Sequence, residues 1–134
     1  FGIAGSYTIV DGDVKADPGQ DPDENQFALV GLSDTANLTF IYENYGWSAR
    51  LAYNWRDTFL NDTNQGGSRS PQYTEEFDQW DLNVTWSLND RWQFQFEGIN
   101  LTGEDSVQYR RKDKMIVWAY ELDPRYALGV RYRF

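Results

Sequence analysis

The sequence predicts an all-β chain, about six antiparallel strands forming a segment of a transmembrane β-barrel. Three observations carry this. Apolar residues alternate with small or polar ones through successive stretches, so each strand has one greasy face and one wet face. No stretch of any length has a helical period. The connections also alternate, long at 11–31, short at 44–46, long at 60–76, short at 89–90 and long at 103–117. Long outside loops with short periplasmic turns are the pattern of a bacterial outer-membrane barrel.

The C-terminal stretch sets the frame. Tyr126, Leu128, Val130, Tyr132 and Phe134 share one face, against Arg125, Ala127, Gly129, Arg131 and Arg133 on the other. Apolar toward lipid and polar toward a lumen is what a membrane strand requires. An edge strand of a soluble sandwich is the alternative.

Upstream, Phe1–Val10 reads as a strand with one small or hydroxylated face, and 11–31 as a strongly acidic loop. Calcium in that loop is an open alternative, but Lys15 stands where an EF-hand needs a ligand and the required glycine is missing. A solvated loop is expected. Thr35–Glu43 places Ala36, Leu38, Phe40 and Tyr42 together, and Trp47–Phe59 sets Trp47, Ala49, Leu51, Tyr53 and Trp55 opposite Ser48, Arg50, Ala52, Asn54 and Arg56. Two arginines on an inward face do not suit a dry core. The cleanest strand sets Trp80, Leu82, Val84, Trp86 and Leu88 against Gln79, Asp81, Asn83, Thr85 and Ser87. Asn89-Asp90 is a two-residue connection to a strand with Trp92, Phe94 and Phe96 opposite Gln93, Gln95 and Glu97, where Gly98 marks a bulge or bend. The basic cluster Arg110, Arg111, Lys112 and Lys114 is expected at a solvated loop tip, with an anion or lipopolysaccharide contact as its alternative, and 117–121 is expected to extend the last strand.

Composition removes several functions. The chain has no cysteine and no histidine, so disulfides, thiolate chemistry, the commonest metal ligand and the usual general base are excluded. A net charge of −9 opposes nucleic-acid binding. No apolar run approaches the ~18 residues of a helical span, and no signal peptide is visible. An enzyme, a metal site and a cofactor are not expected. Six strands fall below the ~8 of the smallest closed membrane barrel, so the chain is expected to be part of a larger barrel or to assemble with other chains.

Three stretches resemble one family. Phe94-Gln95-Phe96-Glu97-Gly98-Ile99-Asn100-Leu101-Thr102-Gly103-Glu104 resembles the penultimate-strand motif of TonB-dependent outer-membrane receptors, an aromatic pair before E-x-x-N-L-T-(N/G)-E. Residues 125–134 resemble its terminal R-x-Y-x-L-G-(V/L)-R-Y-x-F. Residues 48–57 are similar to receptors of the type abundant in Caulobacter- and Xanthomonas-like bacteria. The resemblance covers almost the whole chain outside its three long loops. It implies a 22-stranded barrel, about the size at which the lumen is plugged, with 1–134 supplying its last strands. The plug domain and TonB box of the family have no counterpart in these residues. Gly129, Tyr132 and Phe134 resemble the signal read by the barrel-assembly machinery, with Ala127 where a polar residue is usual.

The function implied is active uptake of a scarce nutrient across the outer membrane, an oligosaccharide or a ferric siderophore, with vitamin B12 ranked behind them. Implied partners are outer-membrane lipid and lipopolysaccharide, the rest of the barrel and plug, and the TonB complex. Arg50, Asn54, Arg56, Asp81, Asn83, Gln93, Gln95, Glu97 and Arg131 are candidates for the lumen face. Tyr73, Trp118 and Tyr120 are candidates to stack on a ligand from the loops. The alternatives are a soluble β-sandwich that binds carbohydrate through exposed tryptophans, and a porin-like barrel built from several chains.

Overall fold

A computed structural model describes residues 1–11, 28–63 and 70–134, and every described element is a β-strand. The acidic stretch from Asp13 to Glu24, with its calcium alternative, lies outside the described residues, as does the tip of the second long connection. In chain order the strands are β1 Gly2–Thr8, β2 Thr35–Asn44, β3 Trp47–Arg56, β4 Phe59–Asp62 and β5 Gln72–Thr74. They continue with β6 Phe77–Ser87, β7 Trp92–Ile99, β8 Ser106–Arg110, β9 Ile116–Tyr120 and β10 Arg125–Tyr132.

Six of them form one antiparallel sheet in the order β1-β2-β3-β6-β7-β10. These are the stretches that the period of two picks out, with ends within a few residues of expectation. The sheet is open, with β1 at one edge and β10 at the other. Opposed residues in an antiparallel sheet share a face, so the register sorts the side chains. Ile3, Phe40, Leu51, Leu82 and Tyr126 fall in one row across the sheet, and Tyr42, Ala49, Val84, Phe96 and Leu128 in the next. The opposite face carries rows such as Arg50, Asn83, Glu97 and Ala127.

Two tight turns close the same end of this sheet. Between β2 and β3, Tyr45 and Gly46 both have positive φ, 51° and 78°, the geometry of a type I′ hairpin. Only glycine fits the second position, because a Cβ there would lie 2.6 Å from the Ser87 carbonyl oxygen. The second turn is longer than Asn89-Asp90 alone, since β6 ends at Ser87 and β7 starts at Trp92. Asn89 accounts for the difference: its Oδ1 accepts hydrogen bonds from the amides of Arg91 and Trp92, both at 3.0 Å.

At the other end, the stretches expected to be loops are partly strands. β4, β5, β8 and β9 form a second antiparallel sheet in that order. β4 follows β3, β5 precedes β6, β8 follows β7 and β9 precedes β10, so the second sheet prolongs four strands of the first. Within the stretch 117–121, residues up to Tyr120 belong to β9, which prolongs β10 across a break at 121–124. Short length hid these strands: they run for three to five residues, too few to show a period, and their pairing rests on backbone hydrogen bonds. Extensive strand contacts are confined to hydrogen-bonded neighbours, so the second sheet does not cover the apolar face of the first.

Gly98 is not a bulge. It keeps register with Leu82 and Tyr126, and its missing Cβ leaves space for Leu101, whose Cδ2 would otherwise lie 2.6 Å away. The phase is lost two residues later, at Asn100.

Among the described residues Leu60 is the one buried hydrophobic side chain. Leu128, Val130 and Tyr126 are 86%, 62% and 59% exposed. Among the described residues no second layer lies over this apolar face.

Candidate functional site

All nine candidate lumen residues lie on the same face of the six-stranded sheet, fixed there by the register of β3, β6, β7 and β10. Arg50 is opposite Asn83, Asn83 is opposite Glu97, and Gln93 is opposite Arg131. Arg50, Asn54, Asp81, Asn83 and Glu97 line an open depression of about 270 Å³. Gln93 and Arg131 line another, of about 230 Å³, beside Arg91 and Arg133 at the short-turn end.

Two of the nine have structural partners that the sequence did not show. Arg56 donates to the Ser33 hydroxyl at 3.0 Å and to the Gly31 carbonyl at 2.5 Å, and its guanidinium lies 3.7 Å from the Phe59 ring centroid. It clips the strand to the segment leading into β2. Asp34 closes the base of the first long connection in the same way, accepting from the Val10 amide at 2.8 Å.

Asp81 holds the second. Its Oδ1 accepts from Gln79 Nε2 at 2.7 Å and from the Asn100 amide at 3.1 Å. Asn100 is 5% exposed and has φ 54°, a left-handed conformation that asparagine tolerates better than most residues. Its side-chain Nδ2 donates to the carbonyls of Glu104 and Leu122, at 3.1 and 2.5 Å, while Oδ1 accepts from the Glu104 amide at 3.0 Å. Leu101 donates its amide to the Trp80 carbonyl at 2.9 Å. The Asn-Leu-Thr-Gly-Glu stretch is thus the knot that joins the two sheets, where β6, β7 and the connection into β10 meet.

Beside the knot, burial raises the pKa of Glu104 above the usual carboxylate value, and the charges of Asp78, Asp105 and Glu76 push it further up. An acid with a raised folded-state pKa binds its proton more tightly when native. Its stabilising contribution is full below the ordinary carboxylate range and is lost as pH rises through the raised value. Glu104→Gln should therefore make the junction more resistant to unfolding at neutral pH, with the difference from wild type vanishing in acid. Urea midpoints at a series of pH values check this, and a gap that is unchanged from pH 4 to pH 7 would sink it.

The three loop aromatics do not converge. On the second sheet Leu60, Tyr73, Tyr109 and Ile116 form one row, and Phe59, Thr74, Gln108 and Trp118 form the neighbouring row on the opposite face. Tyr73 stacks on Tyr109 with centroids 5.3 Å apart. Trp118 and Tyr120 stack on the other side, 6.4 Å apart, 13° from parallel and each just over half exposed. Tyr73 is thereby separated from the other two.

The face that bears Trp118 holds Gln72 and Thr74, which the sequence gave no reason to single out, together with Arg110 of the basic cluster. Gln72, 1% exposed, donates to Gln108 Oε1 at 2.7 Å, but its own Oε1 has no partner among the described residues. Thr74 Oγ1 and Arg110 Nε are also buried and unpaired. Each such atom costs about 1–3 kcal/mol when nothing satisfies it. Arg110 consequently belongs to the sheet, and the basic cluster expected at the loop tip is reduced to Arg111, Lys112 and Lys114. A three-residue strand such as β5 is too short to announce itself by periodicity, which is why Gln72 and Thr74 were missed.

Of the barrel-assembly candidates, Tyr132 and Phe134 lie on the apolar face in edge-on contact at 5.2 Å, and Gly129 lies on the polar face opposite Gln95. No group of three or more carboxylates is arranged to hold a metal among the described residues. No family model, no curated protein and no solved structure matches the chain.

Proposed function

We propose that this chain is part of the wall of a bacterial outer-membrane barrel that takes up a scarce nutrient in a TonB-dependent manner, an oligosaccharide or a ferric siderophore. The observation that carries the reading is the banding of the apolar face. At the short-turn end Trp47, Trp86, Phe94, Trp92, Tyr132 and Phe134 form an unbroken run of ring contacts at 4.6–6.3 Å. At the other end Tyr7 meets Trp55 and Tyr53 meets Trp80. Between the two belts lie the row of Ile3, Phe40, Leu51, Leu82 and Tyr126 and the row of Tyr42, Ala49, Val84, Phe96 and Leu128. Aromatic belts on either side of a more aliphatic band fit the two interfaces of a bilayer. Trp47 and Trp55 stand about 26 Å apart along β3 at ~3.3 Å per residue, near the ~25 Å height of such a band.

Lipid satisfies the uncovered apolar face, and a hydrated lumen satisfies the arginines and amides behind it. Unpaired strand edges are costly in lipid, so further strands pair with β1 and β10. The uptake function rests on the three motif resemblances, and the second sheet supplies a surface outside the bilayer for a ligand to meet first. The open edges also fit a barrel closed by several copies of this chain.

Membrane fractionation with intact mass measurement tests both readings. The expected result is a protein in the outer membrane with a mass several times 15.7 kDa, whose deletion abolishes protonophore-sensitive accumulation of one nutrient. A 15.7 kDa species in the outer membrane would replace the single-chain receptor with the multi-chain barrel. The same species in the soluble fraction would overturn both.

A further inference from the structure

We infer that the corner of the polar face formed by Arg91, Arg131 and Arg133, at the short-turn end, is a binding site for a phosphate monoester. The inference goes beyond the uptake reading and does not depend on what the barrel carries. Three of the chain's 12 cationic residues meet there, although the net charge is −9. The register of β7 and β10 sets Arg131 opposite Gln93 and Tyr132 opposite Trp92. The Arg133 amide donates to the Arg91 carbonyl at 2.9 Å, which carries the pairing one step further. Arg91 and Arg133 are therefore cross-strand neighbours, about 5 Å apart at Cα. Arg131 lies two residues along the same face, about 7 Å away.

Like charges directly opposite each other destabilise a sheet, and little nearby offsets these. All three arginines are exposed, and none forms an ion pair among the described residues. The next row on this face holds Gln95 and Gly129, and on β6 Ser87 stands opposite Gln93. Glu97 is four residues from Gln93, about 13 Å along the strand. The nearest carboxylate is Asp90 of the turn, which lines the same open depression of about 230 Å³ with the three arginines, Asn89 and Gln93. Asn89 Oδ1 accepts from the amides of Arg91 and Trp92, so the backbone at Arg91 is fixed before a ligand arrives.

Three guanidinium charges less that of Asp90 leave two, which a phosphate monoester at about −1.5 to −2 neutralises. A carboxylate carries one charge, and a single guanidinium fork already satisfies its two oxygens. The three terminal oxygens of a phosphate engage more than one fork. The depression opens on the face opposite the apolar one, so the ester arrives from the aqueous side.

The test is isothermal titration of the intact protein with glycerol 3-phosphate, in lipid-free detergent and phosphate-free buffer of low ionic strength. Saturable binding is expected, and Arg131→Gln and Arg133→Gln should each weaken it about tenfold, the loss of a charged hydrogen bond. Arg125→Gln removes the same charge from the same face at the far end of β10 and should leave affinity unchanged. Without ligand both corner variants should unfold no more readily than wild type, because each relieves repulsion. The ester should raise the unfolding midpoint of wild type more than that of either variant. No binding overturns the proposal, as do equal losses in Arg125→Gln and Arg131→Gln, which would mean diffuse surface charge. Displacement of the ester by an equal concentration of acetate would also overturn it, making the site one for carboxylates. Repeating the titration in phosphatidylcholine bilayers with and without phosphatidic acid separates two sources of the phosphate. Weaker ester binding beside phosphatidic acid assigns it to a lipid headgroup, and unchanged binding to a soluble ester; both outcomes retain the phosphate site.

Discussion

Asn100→Ala should lower stability by about 3–4 kcal/mol: three side-chain hydrogen bonds at roughly 1 kcal/mol each, plus about 1 for alanine held at positive φ. The bonds to Glu104 and Leu122 bind together segments that are distant in sequence. Their loss should free 100–106 and 121–124 together, giving a lower urea midpoint and new protease cleavage within those stretches. Asn100→Gly keeps the backbone conformation and loses only the bonds, so it should be milder by about 1 kcal/mol. Equal stability of wild type and Asn100→Ala would mean that the knot is not holding the sheets together. The prediction concerns folding; any loss of uptake would follow from a disordered second sheet.

Leu82→Arg is the second large effect. Leu82 lies in the middle row of the apolar face, between Leu51 and Gly98. In a bilayer a cation at mid-depth costs about 2–4 kcal/mol, falling to ~0–1 near the interfaces. Insertion into lipid vesicles, scored by the heat-resistant folded band on a gel, should fall sharply for Leu82→Arg. It should change little for Trp47→Arg at the belt and for Asn83→Arg on the polar face. This dependence on depth separates lipid from a covering protein layer, since a sandwich core would reject arginine at Trp47 as firmly as at Leu82. Equal damage at both positions would sink the membrane reading.

The candidate site was only partly legible. The nine polar residues share one face in the register, and that much was legible because alternation depends on local strand geometry alone. That Arg56 is a clip and Asp81 an anchor was not legible, since their partners Ser33 and Asn100 are 23 and 19 residues away. The second sheet was missed for a related reason. β5 and β8 pair across 36 residues between Gln72 and Gln108; β5 is too short to show a period, and the Val107/Tyr109 alternation of β8 covers five residues inside a stretch read as a loop.

By itself, the sequence determined the six long strands, their two faces and the end at which the tight turns lie. Each of these follows from side-chain alternation or from turn residues such as Tyr45-Gly46 and Asn89, which act over a few bonds. Only the tertiary structure decided that four more strands prolong the sheet, that Asn100 ties the two sheets together, and that Tyr73 is parted from Trp118 and Tyr120. Those outcomes depend on cross-strand register, and a shift of one residue in any pairing would send each side chain to the other face.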